Sequence, residues 1–271
     1  MKKLILITLG SLLPSSLSAL PIGNPANPNI FNRCYWSYYF DTCSFLYCWT
    51  EAFVFTFGFY GDWVFNRHIE INNGIGDPDI EKTHIFTNAG YLSAILCDRL
   101  EIFGTLGATS INIDANDRVF DLGESGRYVL TTRTAFSWSV GGHLLLIQCG
   151  CVALGLEGQY FRTHPHIMRV TAEDIFSSYP SDRSLDYREW QVGLALSRRI
   201  LRFIPYAGIK YGHAYLKFTE PLISDERFEL VSGKHWGYAI GTTFVVPKLS
   251  LTIEGRFADE TALSCIAQLY F

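Results

Sequence analysis

Charge is scarce in this chain: Asp, Glu, Lys and Arg together make up 18% of it, against roughly a quarter in an ordinary soluble domain. What charge there is sums to -4, so there is no basic surplus to hold nucleic acid or an anionic surface. Long apolar runs are missing as well. The run from Leu4 to Leu13 is too short to cross a bilayer as a helix, and nothing later supplies the roughly 18 to 20 consecutive apolar residues that a spanning helix needs. There is no internal repeat and no low-complexity tract. No Ser or Cys nucleophile stands beside a base in a recognisable motif. GYAIGTT (237–243) is followed by neither GKS nor GKT, which makes it strand glycine and not a phosphate loop. Cys149-x-Cys151 is spaced more tightly than a zinc knuckle. The expectation is therefore no catalytic residue, no metal and no cofactor.

Aromatic residues, at 15%, are plentiful, and without a spanning helix that apolar surface needs another destination. Met1-Lys2-Lys3, the apolar run after it and Ser16-Leu17-Ser18-Ala19 form the three parts of a secretory signal, with cleavage expected after Ala19. About 250 residues remain, enough for one large all-β domain or two smaller ones. Seven cysteines in an exported chain suggest disulfides, and the odd number leaves at least one thiol free or paired to another chain.

From Glu51 onward, alternation of period two dominates, the mark of strands with unlike faces. Phe53, Phe55, Phe57, Phe59, Trp63 and Phe65 oppose Thr56, Tyr60 and Asp62. Leu100, Ile102, Leu106 and Ala108 oppose Glu101, Thr105 and Thr109. Across 127–146, Tyr128, Leu130, Phe136, Trp138, Val140 and Leu144 oppose Arg127, Arg133, Ser137, Ser139 and His143. Ten strands are expected: 51–66, 83–96, 99–112, 127–146, 151–162, 187–197, 203–217, 234–246, 249–257 and 263–271. Their connections alternate in length. Tight joints fall at 97–98, 147–150, 198–202 and 247–248, long polar ones at 67–82, 113–126, 163–184 and 219–229, and only 258–260 breaks the pattern. Short turns on one side and longer loops on the other describe an outer-membrane barrel. In lipid the sheet must close, because edge N–H and C=O groups cannot stay unpaired. The fold expected is thus all-β: an antiparallel transmembrane β-barrel of about ten strands (8–12), with short periplasmic turns, longer extracellular loops and Phe271 at the periplasmic end of the closing strand. The divisions expected are a signal peptide at 1–19, a periplasmic cysteine-bearing segment at 20–50 and the barrel at 51–271.

This topology assigns places to the chemistry-bearing residues. Cys34, Cys43 and Cys48 fall in the periplasmic segment and Cys97, Cys149 and Cys151 at periplasmic turns, leaving Cys265 inside a strand on the lipid-facing row. The six on one rim are candidates for disulfides within or between chains; reduced thiols packed as small hydrophobes and a metal site are the other readings. Cys149 and Cys151 lie too far apart on an extended strand to bridge each other. Asp62, Glu101, Arg133, Glu157, Lys210, Glu254 and Arg256 are the inward charges. They either line a polar pore or neutralise one another as a plug, since about eight strands leave an interior filled by side chains and 16 to 18 leave a channel. His68, His84, His164 and His166 border the long loops, as solvated residues or as a base or metal site of an outer-membrane enzyme. Trp63, Trp138, Trp190, Trp236, Tyr128 and Tyr160 are expected as interfacial girdle residues, the rival being a soluble core.

Several stretches resemble the major outer membrane protein family of chlamydiae, the chlamydial porins: LPIGNPANPN (20–29), GFYGDWVFNR (58–67), FGTLGAT (103–109), TAFSWSVGG (134–142) running into QCGCVALG (148–155), and WQVGLALSRRILRFIPYAGIKYG (190–212). The resemblance implies a barrel in the bacterial outer membrane that passes small hydrophilic solutes by diffusion. It also implies a structural role in an envelope poor in peptidoglycan, through disulfides to other cysteine-rich outer-membrane or periplasmic proteins. Outer-membrane lipid and a possible homo-oligomer complete the expected partners. The alternative is a non-conducting structural or adhesive barrel. The chain is shorter than typical members, with loops that look trimmed.

Overall fold

A computed structural model of the chain describes residues 20–25, 53–71, 80–116, 127–172, 175–177, 183–218 and 229–271. In chain order the strands are β1 (Phe53–Arg67), β2 (Ile69–Ile71), β3 (Ile80–Leu96), β4 (Leu100–Asn116), β5 (Arg127–Thr132), β6 (Ala135–Cys149), β7 (Val152–Thr163) and β8 (Ile167–Ala172), followed by β9 (Ile175–Ser177), β10 (Leu185–Arg198), β11 (Phe203–Phe218), β12 (Glu229–Ser232), β13 (Trp236–Val246), β14 (Leu249–Phe257) and β15 (Glu260–Tyr270).

Ten of these are staves of a closed barrel. Hydrogen-bonded neighbours run β3-β1-β15-β14-β13-β11-β10-β7-β6-β4, and β4 returns to β3. The first stave thus meets the last, antiparallel, with Thr56 opposite Tyr270 and Asp62 opposite Ser264. With no stave left as an edge, the backbone is satisfied internally, which hydrocarbon demands. Every stave carries large apolar side chains on its outer face. Leu106 on β4 and Phe136 on β6 are 63% and 64% exposed. In water such a belt would far exceed a tolerable apolar patch; around a barrel it is the lipid-facing surface. The inner face is polar and knits neighbouring staves by hydroxyl pairs: Thr56 with Ser93 at 2.7 Å, Thr87 with Thr109 at 2.8 Å, Thr243 with Thr252 at 2.8 Å.

The periplasmic turns are tight. Between β3 and β4, in the three-residue connection 97–99, Cys97 and Asp98 both take positive φ (50° and 56°) and Arg99 N–H donates to Leu96 O at 3.0 Å, a turn whose twist matches its strands. Between β6 and β7 the positive φ falls on Gly150 (57°).

At the opposite end the long connections fold into sheet of their own. β2 pairs with β12, and β5 pairs with the upper part of β4 and with β8, which in turn pairs with β9. Residues 127–146 are consequently two strands and not one. Across the break at Arg133–Thr134 the buried face changes parity, so Tyr128, 2% exposed, joins an interior cluster and is no girdle residue. That cluster also contains Val64, Ile85, Ile111, Ile113, Leu130, Ile167, Leu185 and Leu216 and fills the extracellular end of the lumen. A second difference concerns the segment expected in the periplasm. Residues 20–25 lie inside the barrel, with Leu20 and Ile22 buried; the rest of 20–50, including Cys34, Cys43 and Cys48, lies outside the described residues.

Candidate functional site

Below the apolar cluster a row of ion pairs crosses the lumen. Asp62 of β1 pairs with Arg256 of β14 at 2.5 Å, and Arg256 Nε lies 2.7 Å from Glu260 of β15. Glu260 pairs with Lys210 of β11, which is 3.1 Å from Asp259. Asp259 takes Arg67 at 3.0 Å, and Arg67 reaches Glu189 of β10 at 3.6 Å. Charges alternate in sign along the whole row. Arg67, Lys210 and Arg256 are 1% exposed or less, a burial that charges tolerate only when paired.

Local irregularities build this row. A register shift between Val64 and Asn66 in the β1–β15 pairing reverses the parity of β1 and turns Arg67 inward, as a bulge does. Ala258 takes a positive φ of 82° in the short turn before β15, and Asp259 and Glu260 drop fully buried into the barrel.

Beneath the ion pairs lies the chain segment 20–25, held by side chains of the wall. Gln191 of β10 accepts from Leu20 N–H at 3.1 Å and donates to Pro21 O at 2.8 Å and to Glu157 at 3.0 Å. Glu254 of β14 accepts from Ile22 N–H at 3.0 Å, from Gly23 N–H at 2.9 Å and from the Tyr206 hydroxyl at 2.7 Å. His143 of β6 places Nε2 3.0 Å from Ile22 O and Nδ1 3.1 Å from Glu101, which also accepts from the Tyr91 hydroxyl at 3.0 Å. Lys210 Nζ donates to Leu20 O at 3.4 Å, and the Asn24 amide to Thr243 at 3.1 Å. Two cavities flank the segment. One, of about 30 Å³, opens beside Gly23, Glu101, His143 and Tyr270; the other, of about 10 Å³, lies between Leu20, Asp62, Tyr187 and Glu189. Spaces of this size hold one or two waters.

The predicted inward charges divide accordingly. Asp62, Glu157, Lys210, Glu254 and Arg256 converge, buried, inside the lumen, and Glu101 joins them nearer the periplasm. Arg133 does not: it is exposed in the break between β5 and β6, its N–H donating to His166 O at 2.8 Å. Sequence reading passed over Arg67, Glu189, Asp259 and Glu260. Glu189 shares the inward row with Gln191, and the lapse of alternation at 258–260 marks Asp259 and Glu260. Arg67 sits behind a bulge that leaves no local signal.

The sequence model described as Chlamydia major outer membrane protein matches residues 1–77, 124–176 and 168–226, well over half of the chain. The chain belongs to that family. The "Major outer membrane porin, serovar L1" of Chlamydia trachomatis is 27% identical over 376 aligned residues, covering 95% of this chain and 96% of the relative. The "Major outer membrane porin" of Chlamydia muridarum is 27% identical over 387, with the same coverage. Both alignments are longer than the 271-residue chain, so these relatives carry insertions that it lacks. Among solved structures, the chain is similar to the outer membrane protease OmpT of Escherichia coli (12% identity, 81% of this chain and 94% of that one, TM-score 0.40) and to the beta domain of the Bordetella autotransporter BrkA (12%, 82% and 99%, 0.41). As a member of this porin family with a closed, lipid-belted barrel, the protein is a porin-type protein of the outer membrane.

Elsewhere on this family member, Cys97, Cys149 and Cys151 are exposed at the periplasmic turns, and Cys265 is half-buried on the outer row of β15. His164 lies on the extracellular rim, Nδ1 3.0 Å from Asp186, whose carboxylate is shared with Arg162 at 3.1 Å and with Arg188. His84 stacks beside Phe86. Among the described residues, no three His, Cys, Asp or Glu side chains are grouped to hold a metal.

Proposed function

We propose that this porin-family protein passes small hydrophilic solutes by diffusion through its lumen, with low conductance, and that it stiffens the envelope through disulfides at its periplasmic rim after export with a cleaved signal. The observation that carries the first part is the axial column of charged and hydroxyl side chains inside a lipid-facing belt. A barrel serving only as a structural pillar gains nothing from burying charges that an apolar filling would replace at equal or lower cost. Low conductance follows from ten staves, whose lumen lies near the size that side chains fill. Refolded protein in a planar lipid bilayer is expected to give small ohmic openings whose ion selectivity shifts on Glu254→Gln; silence at all voltages points to the structural barrel. That rival reading has one observation in its favour, the filling of the lumen at three levels.

The rim role rests on the exposed Cys97, Cys149 and Cys151, whose mates would be cysteine-rich neighbours or a second copy of the chain. It predicts a ladder on non-reducing gels of whole envelopes that collapses with thiol. Migration as a monomer alone would count against it. Asp186 beside His164 is committed to Arg162 and Arg188.

A further inference from the structure

We propose that the lumen is a built binding site for the amino-terminal end of the mature chain, and that residues 20–25 are a removable plug whose α-ammonium is a counter-ion of the lumenal carboxylates. The inference rests on the porin reading only where it speaks of conductance.

Three observations carry it. First, the backbone from Leu20 to the N–H of Gly23 is read by side chains. The N–H and C=O of Leu20, the C=O of Pro21, both groups of Ile22 and the N–H of Gly23 each meet Gln191, Lys210, Glu254 or His143. Pro21 has no N–H to satisfy. A strand fills its hydrogen bonds against another backbone; here four staves supply single side chains instead.

Second, the wall is hollowed to fit. Ala195 lies opposite Gly155 on β7 and opposite Gly208 on β11, and Gly208 lies opposite Ala239 on β13, a row of small residues across four adjacent staves. Ile22 packs on Ala195 and Ala239. A Cβ at Gly208 would come 3.0 Å from Ile22 Cδ1, one at Gly193 3.2 Å from Ile22 Cγ1, and one at Gly155 2.5 Å from Pro25 Cβ.

Third, the segment has a direction. Pro25 and Asn24 contact Gly155 and Thr243, while Leu20 reaches up to Gln191 and Lys210 and enters the apolar cluster. Leu20 also edges the cavity of about 10 Å³ lined by Asp62 and Glu189, room for a group the size of one water. Buried Glu157 Oε2 lacks a hydrogen-bond donor and Glu189 Oε1 meets Arg67 only at 3.6 Å, beyond hydrogen-bond reach, and the lumenal carboxylates Asp62, Glu101, Glu157, Glu189, Glu254, Asp259 and Glu260 outnumber the cations Arg67, Lys210 and Arg256. Hydrolysis of the Ala19–Leu20 bond by a signal peptidase, the water oxygen ending in the Ala19 carboxylate and both of its protons on the Leu20 nitrogen, creates an ammonium at the nitrogen that sits 3.1 Å from Gln191.

The test uses the mature chain beginning at Leu20, refolded in detergent and checked by its heat-modifiable gel shift. An amine-acylating reagent near neutral pH is applied to folded and SDS-unfolded protein, and the peptide containing Leu20 is quantified by mass spectrometry. Labelling at least 10-fold slower in the folded barrel is expected; equal labelling overturns the proposal whatever the conductance. In bilayers, a chain lacking residues 20–25 is expected to show open probability at least 3-fold above the full mature chain. The amide-ended peptide LPIGNP added to the periplasmic side should close it, and the same peptide N-acetylated should act at least 10-fold more weakly. Equal block by both peptides, or none by either on a conducting barrel, overturns the assigned role of the ammonium. Protection of Leu20 in a barrel silent with or without the segment upholds the binding site and removes the diffusion reading instead.

Discussion

Toward its extracellular end the lumen is sealed by the staves themselves: Ile85, Ile111, Leu185 and Leu216 come from four different strands and pack as the core of a soluble domain would. Toward the periplasm it is sealed by six residues that belong to no stave and are held by side-chain hydrogen bonds. The two seals differ in what opening them requires. Parting the upper one exposes apolar surface on every wall and pulls Arg67 and Lys210 from their partners. Withdrawing the lower one exchanges hydrogen bonds for water and restores freedom to a short stretch of chain, whose ordering costs roughly 1–2 kcal/mol per residue. One barrel thus combines a constriction built into its walls with one supplied by a separate segment, and the row of ion pairs lies between them.

Substitutions can break or sharpen that contrast. The largest loss is expected from Arg256→Met, which leaves Asp62 and Glu260 buried without their guanidinium: roughly 3–5 kcal/mol, read as a lower urea midpoint for loss of the heat-modifiable band. An unmoved midpoint would mean the row is not a structural unit. Leu216→Ala in the upper seal should cost about 2–5 kcal/mol without raising bilayer conductance; a variant of raised conductance would show that the two seals are not distinct. On the outer face, Leu106→Arg puts a charge in the lipid belt and should cost about 2–4 kcal/mol if Leu106 lies near the midplane, with folding yield in thin-bilayer vesicles as the check. Thr87→Val strands the Thr109 hydroxyl and is expected to lose about 1 kcal/mol. Smallest is removal of residues 20–25, for which hydrogen bonds of about 1 kcal/mol each are offset by the ordering entropy. A stability loss larger than that of Leu216→Ala would mean that the lower seal is as much a part of the folded barrel as the upper.

Much of this was open to sequence reading. Alternation located all ten staves, and the long-short rhythm of connections oriented them, because a residue on a stave has one face in lipid and one in the lumen. Reading failed where parity changes without a compositional cue. Arg67 is displaced by a bulge, Tyr128 follows a break hidden inside continuous alternation, and Arg133 sits in that break, so each was placed on the wrong side or left out. LPIGNP offered no sign of its location, being short, proline-bearing and apolar enough for a linker. Its partners, Gln191, Glu254, His143 and Lys210, are spread over 112 positions of the chain from His143 to Glu254 and meet only through closure.

The sequence by itself determined the solvent and the sheet: alternating aromatic and polar residues on ten segments, with little charge and no spanning helix, leave lipid outside and a closed barrel as the only arrangement that pairs every backbone group. Tertiary structure alone decided what the lumen contains. Charge pairing and the fit of Ile22 over Gly208 and Ala195 depend on distances between staves remote in the chain, and those distances come into being only when the first stave hydrogen-bonds to the last.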